Sequence, residues 1–258
     1  MPDLQGLRGL LASGSPLATM LMNIPDPAVA EILGRSGVDY IVIDTEHAFF
    51  PSQSLRECIA AVRSTPAKAV VRVAANEEHL IKTVLDLGAD GVQVPNVRTA
   101  AEAERAVAFA RFAPEGTRGV GYGRASGHGT DIIHYVGRAN RETAVILMIE
   151  SGSGVDAADA IAAVPGVDAL VVGPADLAVD LGVGLGGDPA PLEEAYLRVL
   201  EAGRRQGVAV AVGGGIEDAR RWYDRGARVF LHFVDTLALA QVATSSVDAT
   251  RAALGTHP

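Results

Sequence analysis

The chain has 258 residues, 48% of them hydrophobic and 21% charged, a globular composition at a length that one α/β barrel fills, so a single domain over residues 1–258 is expected. With 22 Lys+Arg against 31 Asp+Glu the formal charge is -9, which repels phosphate backbones and anionic lipids and argues against nucleic acid or a membrane surface as partner. No basic start precedes an apolar run of signal-peptide length, no stretch approaches the roughly 18 apolar residues that span a bilayer, and Cys58 is the lone cysteine, so a cytoplasmic location is expected.

Eight short runs rich in Val, Ile and Leu recur along the chain, at residues 18–22, 40–44, 69–73, 91–95, 145–150, 169–173, 208–212 and 229–233. Each is apolar at nearly every position, the pattern of parallel strands buried on both faces. Helical patterns fill the gaps: residues 26–34 after Pro25-Asp26-Pro27, residues 77–87 ended by Gly88, and residues 99–112 with acidic side chains in the first turns. Cys58 falls on what reads as the buried face of another helix. Eight strand–helix units with right-handed crossovers close more readily into a parallel (β/α)8 TIM barrel than they open into a doubly wound sheet, which is the alternative architecture.

Two segments break this rhythm. Residues 118–140 are rich in Gly and carry His128 and His134; residues 180–191 carry Gly182, Gly184, Gly186 and Gly187. Both follow a strand or helix end, where barrel enzymes place substrate loops. The second spells Gly-x-Gly-x-x-Gly, but no strand leads into it, which argues against a dinucleotide site.

In such a barrel the polar residues at strand C-termini line the mouth of the active site. The second run ends in Asp44-Thr45-Glu46-His47, the third carries Arg72, the fifth ends in Glu150, and the sixth runs into Gly173-Pro174-Ala175-Asp176, so all are expected on one rim. Glu150 and Asp176 suit a hard divalent cation such as Mg²⁺ or Mn²⁺, or else they cap a helix and a turn. An ionised carboxylate closing an apolar run needs a partner, which favours the cation. Arg72 requires an anion, either Asp44 in a structural salt bridge or a substrate carboxylate or enolate oxygen. His47 is a candidate general base or an ordinary loop histidine.

The other histidines carry less: His79 is expected to be solvated, His257 lies in the tail, His128 and His134 are loop residues, and the direction of His232 is open. Trp222 reads as core or an interface anchor. Gly213-Gly214-Gly215, between a strand and a helix, resembles a phosphate cradle and sustains a rival reading, a metal-free barrel isomerase or lyase. A barrel that binds a keto acid without catalysis is a third. Only Lys68 and Lys82 occur, one before a strand and one within a helix, neither where a Schiff-base lysine should stand, so a Schiff-base aldolase is nearly excluded and metal activation gains.

The strings Ile43-Asp44-Thr45-Glu46-His47-Ala48, Val70-Val71-Arg72-Val73, Arg118-Gly119-Val120-Gly121, Ile149-Glu150 and Gly173-Pro174-Ala175-Asp176-Leu177, in that order within residues 21–242, resemble the HpcH/HpaI aldolase family, as does the helix Ile81-Lys82-Thr83-Val84-Leu85-Asp86-Leu87-Gly88-Ala89. The resemblance implies a class II, metal-dependent pyruvate aldolase using Mg²⁺, Mn²⁺ or Co²⁺, with Glu150 and Asp176 as ligands. It implies that Arg72 contacts the keto acid and its enolate, that His47 moves protons with Asp44 and Asp86 in support, and that the backbone at Gly173, Pro174, Ala175 and Asp176 holds the pyruvate carboxylate. Its implied substrates are a small 2-keto acid, pyruvate or hydroxypyruvate, and an aldehyde; its implied assembly is a hexamer or trimer that exchanges a C-terminal helix. Two departures bear on the aldehyde and leave room for oxaloacetate decarboxylation: Ser151-Gly152-Ser153-Gly154 follows the glutamate where the family commonly has Thr and then a charged or small residue, and Leu231-His232-Phe233-Val234 is bulky where the last strand usually ends in small polar residues.

Overall fold

The computed structural model describes residues 6–214 and 216–255. Eight parallel strands, β1 (Leu17–Met22), β2 (Tyr40–Asp44), β3 (Lys68–Arg72), β4 (Gly91–Val94), β5 (Ala144–Ile149), β6 (Ala169–Val172), β7 (Ala209–Gly213) and β8 (Val229–Val234), close into a barrel in chain order, with β8 pairing β1. The eight apolar runs are these eight strands, displaced by a residue or so at their ends.

Alternation along the strands divides two cores. Tyr40, Val42, Val70, Ile146, Met148, Ala169 and Val171 point into the barrel, whereas Ile41, Ile43, Val71, Leu147 and Ile149 pack against the helices outside. Continuing the inward series by two residues delivers Asp44 after Val42, Arg72 after Val70 and Glu150 after Met148. The β2–β3 register sets Asp44 directly beside Arg72.

Around the strands run α2 (Pro27–Gly34), α3 (Ser52–Arg63), α4 (Glu78–Asp86), α5 (Ala100–Ala110), α6 (Ile132–Glu142), α7 (Gly152–Asp156), α8 (Ala158–Ala162), α9 (Pro174–Asp180), α10 (Ala190–Gln206) and α11 (Ile216–Asp224). The caps follow the sequence: the Asp26 carboxylate accepts from the N–H of Ala28, and Thr99 with Glu102 forms a reciprocal capping box on α5. Cys58 is fully buried on α3, His79 is exposed on α4, and Trp222 is buried against Tyr196 with ring centroids 5.0 Å apart.

Helix α1 (Gly6–Ala12) plugs the end of the barrel where the strands begin, inserting Leu7 and Leu11 into the interior cluster. Arg8 on α1 donates to Asp168 Oδ1 (2.7 Å) and to the carbonyl of Asn140; Arg111 donates to Asp168 Oδ2 (3.0 Å) and to the carbonyls of Thr143 and Gly166. At the other end α12 (Asp235–Leu254) leaves the barrel with Leu237, Leu239 and Val242 exposed. Its first residue, Asp235, accepts from the N–H groups of Asn23 and Ile24 (both 2.9 Å), joining the β8–α12 corner to the β1–α2 loop.

The glycine-rich stretch after α5 differs from the expected loop. It contains a short 3-10 helix (Arg124–Gly129) and then α6, whose Ala139 is buried and whose Tyr135 meets Phe112 edge-on at 5.8 Å. This apolar side supplies the packing that a substrate loop would lack.

Candidate active site

The rim where the strands end is built around one buried ion pair. Arg72 Nε donates to Asp44 Oδ1 (2.8 Å) and Arg72 Nη2 to Asp44 Oδ2 (2.7 Å), a two-pronged arrangement that fixes the guanidinium plane. Asp44 Oδ1 also accepts from the N–H groups of Glu46 (3.0 Å) and His47 (3.3 Å), so one carboxylate shapes the turn that carries both residues. Burial alone would raise the Asp44 carboxyl, but the Arg72 hydrogen bonds and charge, with the two N–H groups, hold it below the usual range. Arg72 Nη1 stays outside the pair and stands 3.3 Å from Glu46 Oε2. The structural salt bridge anticipated for Arg72 is thus present, with Nη1 left for Glu46 and the Met148 Sδ (3.9 Å).

Glu150 and Asp176 share a cavity of about 260 Å³ with Glu46, His47, Asn96, Arg98, Val179 and Asp180. Glu150 is 7% exposed; its Oε1 accepts from the backbone N–H of Asn96 (2.6 Å), and its Oε2 lies where a Cβ on Gly173, the residue after β6, would come within 2.6 Å, so a side chain there would push the carboxylate aside. Asp176 lies in the first turn of α9 and is exposed. Neither carboxylate serves as a cap. The helix after Glu150 is capped by Ser151, whose hydroxyl accepts from the N–H of Gly154, and α9 begins at Gly173 with no side-chain cap.

Burial pushes the Glu150 carboxyl above the usual range; the Asn96 N–H pulls it back, the negative Glu46 and Asp176 raise it again, and Arg72 opposes them. Glu46 is likewise raised, by burial first, against the pull of Arg72 and His47. Around the rim five carboxylates, Asp44, Glu46, Glu150, Asp176 and Asp180, therefore stand against two guanidiniums, Arg72 and Arg98, an excess of negative charge that a cation would relieve. Among the described residues no three His, Cys, Asp or Glu side chains converge on one point. The donor set is two hard carboxylates with the remaining positions open, which fits a divalent cation whose shell is completed by water or a chelating substrate.

His47 lines this cavity, its side chain 57% exposed and its Nε2 3.6 Å from Glu46 Oε2. Gly173 precedes α9, and the N–H groups of Ala175 and Asp176 belong to its first turn, where no carbonyl lies four residues back within the helix. Pro174 also borders the neighbouring cavity of about 520 Å³, with Gly213, Gly214, Leu231 and Phe233. Among the described residues that lining is largely apolar with no basic residue, and the N–H of Gly214 points at the carbonyl of Leu231 (3.4 Å), so nothing described there favours the phosphate cradle that Gly213-Gly214-Gly215 resembles. Gly215, His257 and the side chain of His232 lie outside the described residues.

Three sequence candidates fall elsewhere. Asp86 ends α4, which returns from the rim toward the start of β4, and its Oδ1 accepts from Arg118 Nη2 (2.8 Å); it does not support His47 within this barrel. His128 and His134 follow α5 and precede β5, which places them at the same far end, both exposed. The segment of residues 118–140 was expected beside the substrate, yet it follows a helix end, and helix ends here lie opposite the rim. Conversely, Glu46 and Asn96 belong to the site and had been given no role. Alternation from Asp44 to Glu46 would have marked the first; the second contributes a backbone N–H, for which the sequence carries no direct signal.

Residues 18–240 match the family model of HpcH/HpaI aldolase/citrate lyase. The hydroxypyruvate/pyruvate aldolase of Roseovarius nubinhibens is 36% identical over 247 residues, covering 93% of this chain and 94% of the relative. The 5-keto-4-deoxy-D-glucarate aldolase of Klebsiella pneumoniae is 36% identical over 206 residues, 79% of this chain and 80% of its own length. The crystal structure of an HpcH/HpaI aldolase/citrate lyase family protein from Burkholderia cenocepacia superimposes with a TM-score of 0.90 at 36% identity, covering 95% of this chain and 98% of that one. The eight-stranded barrel, the rim assembled from β2, β3, β5 and β6, and these similarities across nearly the whole chain agree, and the chain belongs to the HpcH/HpaI aldolase/citrate lyase family.

Proposed function

We propose that this chain is a divalent-metal-dependent aldolase that makes or cleaves the bond between a pyruvate-type 2-keto acid and an aldehyde. The observation that carries the reading is the pair Glu150 and Asp176 facing one cavity, with Arg72 beneath them and His47 at its side. Glu150 and Asp176 would hold the cation. A divalent cation bound there supplies Lewis-acid polarisation of the keto acid, lowering the cost of removing a methyl proton.

The chain's own residues do the rest. Arg72, locked by Asp44, keeps Nη1 beside Glu46, which lines the cavity, and from there it stabilises the charge that develops on the keto oxygen as the enolate forms. The N–H groups of Ala175 and Asp176, with the backbone at Gly173 and Pro174 setting the turn, orient the substrate carboxylate. His47 takes a proton from the aldol hydroxyl during cleavage, so that the carbon–carbon bond breaks into aldehyde and enolate, and returns a proton in synthesis; proton transfer of this kind contributes on the order of 10²–10⁴-fold. Hydroxypyruvate or pyruvate as the keto acid agrees with the names of the relatives. The test is exchange of pyruvate methyl protons in D₂O: exchange should require added Mg²⁺, Mn²⁺ or Co²⁺, and exchange that survives complete chelation would overturn the metal role.

The exposed Leu237, Leu239 and Val242 on α12 support exchange of this helix between copies in a hexamer or trimer. Sedimentation should give the oligomer for the full chain and monomers for a chain ending at residue 234; an unchanged mass after truncation removes α12 from the interface.

A further inference from the structure

Glu150 has two oxygens, and the structure treats them differently. Oε1 accepts from the N–H of Asn96 at 2.6 Å, while Oε2 is turned toward Gly173 and the first turn of α9, which carries Asp176. Asn96 reaches Oε1 through an unusual backbone, with φ at +53°, one of two non-glycine residues with positive φ among those described. Side chains resist this left-handed region because Cβ crowds the following carbonyl, and asparagine tolerates it better than most.

The conformation is held from both sides. Pro95 and Val97 are buried, and the N–H of Val97 donates to the carbonyl of Met148 on β5 (3.1 Å). Gly154, just past Glu150, approaches the carbonyl of Val97 so closely that a Cβ there would stand 2.9 Å from it. The Asn96 side chain is tied down as well, its Oδ1 accepting from Arg98 Nε (2.8 Å).

We propose that Asn96 is a positioning residue for Glu150: its left-handed backbone aims an N–H at Oε1 and thereby leaves Oε2 as the single oxygen that Glu150 offers to a cation shared with Asp176. This rests on the metal-binding reading above. The role belongs to the backbone, so it survives any residue that adopts positive φ readily and is lost with one that does not.

The experiment is equilibrium titration of the full chain with Mn²⁺ alone, comparing wild type, Asn96→Gly and Asn96→Val, with circular dichroism to establish folding. Glycine enters the left-handed region freely and keeps the N–H, so Asn96→Gly should bind Mn²⁺ close to wild type. Valine disfavours it, so Asn96→Val should weaken Mn²⁺ binding by about tenfold or more, the scale seen when a hydrogen-bond partner of a metal ligand is lost. Should Asn96→Val fail to fold, Asn96→Ala provides the milder form of the same comparison. Equal affinity in the valine (or alanine) and glycine variants overturns the proposal with the metal site intact, whether both match wild type or both are weakened. A wild-type chain that binds no Mn²⁺ overturns the metal reading itself, and the proposal with it.

Discussion

The two ends of the barrel each bury an Arg–Asp pair, and they balance charge in opposite ways. At the plugged end two guanidiniums, Arg8 and Arg111, share the single carboxylate of Asp168, which also accepts from the N–H of Val145 (2.8 Å). Burial lowers Arg111 to about 10, with Asp168 opposing the drop; its Nη1 and Nη2 donate to the carbonyls of Thr143 and Gly166, while its buried Nε has no partner among the described residues. At the rim two guanidiniums, Arg72 and Arg98, face five carboxylates, Asp44, Glu46, Glu150, Asp176 and Asp180. The first arrangement brings two positive charges to one negative and holds a plug in place; the second is short of positive charge, and that shortage is what marks it as a candidate site.

The largest effect separating the two ends is expected from Asp168→Asn. It strands the buried guanidinium of Arg111 and the half-buried one of Arg8 and should destabilise the chain by about 3–5 kcal/mol in urea unfolding. The affinity of the folded protein for Mn²⁺ should stay unchanged; a parallel loss of metal binding would show that the ends are not independent. Next comes Glu150→Gln, expected to reduce Mn²⁺ affinity by roughly a hundredfold or more, beyond the effect of losing a partner one step removed from the ion. Full affinity in that variant would withdraw Glu150 as a ligand.

The smallest effect is a difference in pH dependence between the metal-free wild type and Glu150→Gln. Because the folded carboxyl of Glu150 lies above its usual 4.5, its contribution is fully present below that value and is lost as pH rises through the raised one. Wild type should therefore lose stability relative to the variant over that rise. Asp44, held below its usual 3.8, acts with the opposite sign: its contribution is present above 3.8 and is lost as pH falls through the lower folded value. Melting curves of both proteins across acid pH check the two signs together.

Much of this was legible in residue order. Apolar runs without alternation marked all eight strands, and their polar last residues marked the rim, because a parallel strand buried on both faces has few other places to put Asp44, Arg72 or Glu150. The supporting role of Asp86 came from the resemblance alone; chain order places it at the end of α4, opposite the rim of its own barrel, because a motif string does not say at which end of a helix a residue stands. Helix α1 was missed because Gly6–Ala12 is short and broken by Arg8 and Gly9, and its leucines gain meaning only from the open barrel end they fill. Asn96 was missed for a deeper reason: the left-handed turn is imposed by buried neighbours distant in sequence, and the group it presents is one every residue but proline possesses.

The corner at Asp235 bears on how the protein is made. Strand β1 cannot find its second neighbour until residues 229–234 have left the ribosome, an interval of roughly ten to forty seconds at 5–20 residues per second. Throughout it the nascent sheet is an open ribbon whose first strand shows an unpaired edge to whatever else is being synthesised nearby. The bonds from Asn23 and Ile24 to Asp235 form only when that ribbon becomes a ring, so the loop after β1 receives its final partner last. A chain released a few dozen residues early would hold every rim residue named above and still carry two raw edges, a substrate for chaperones and proteases rather than an enzyme.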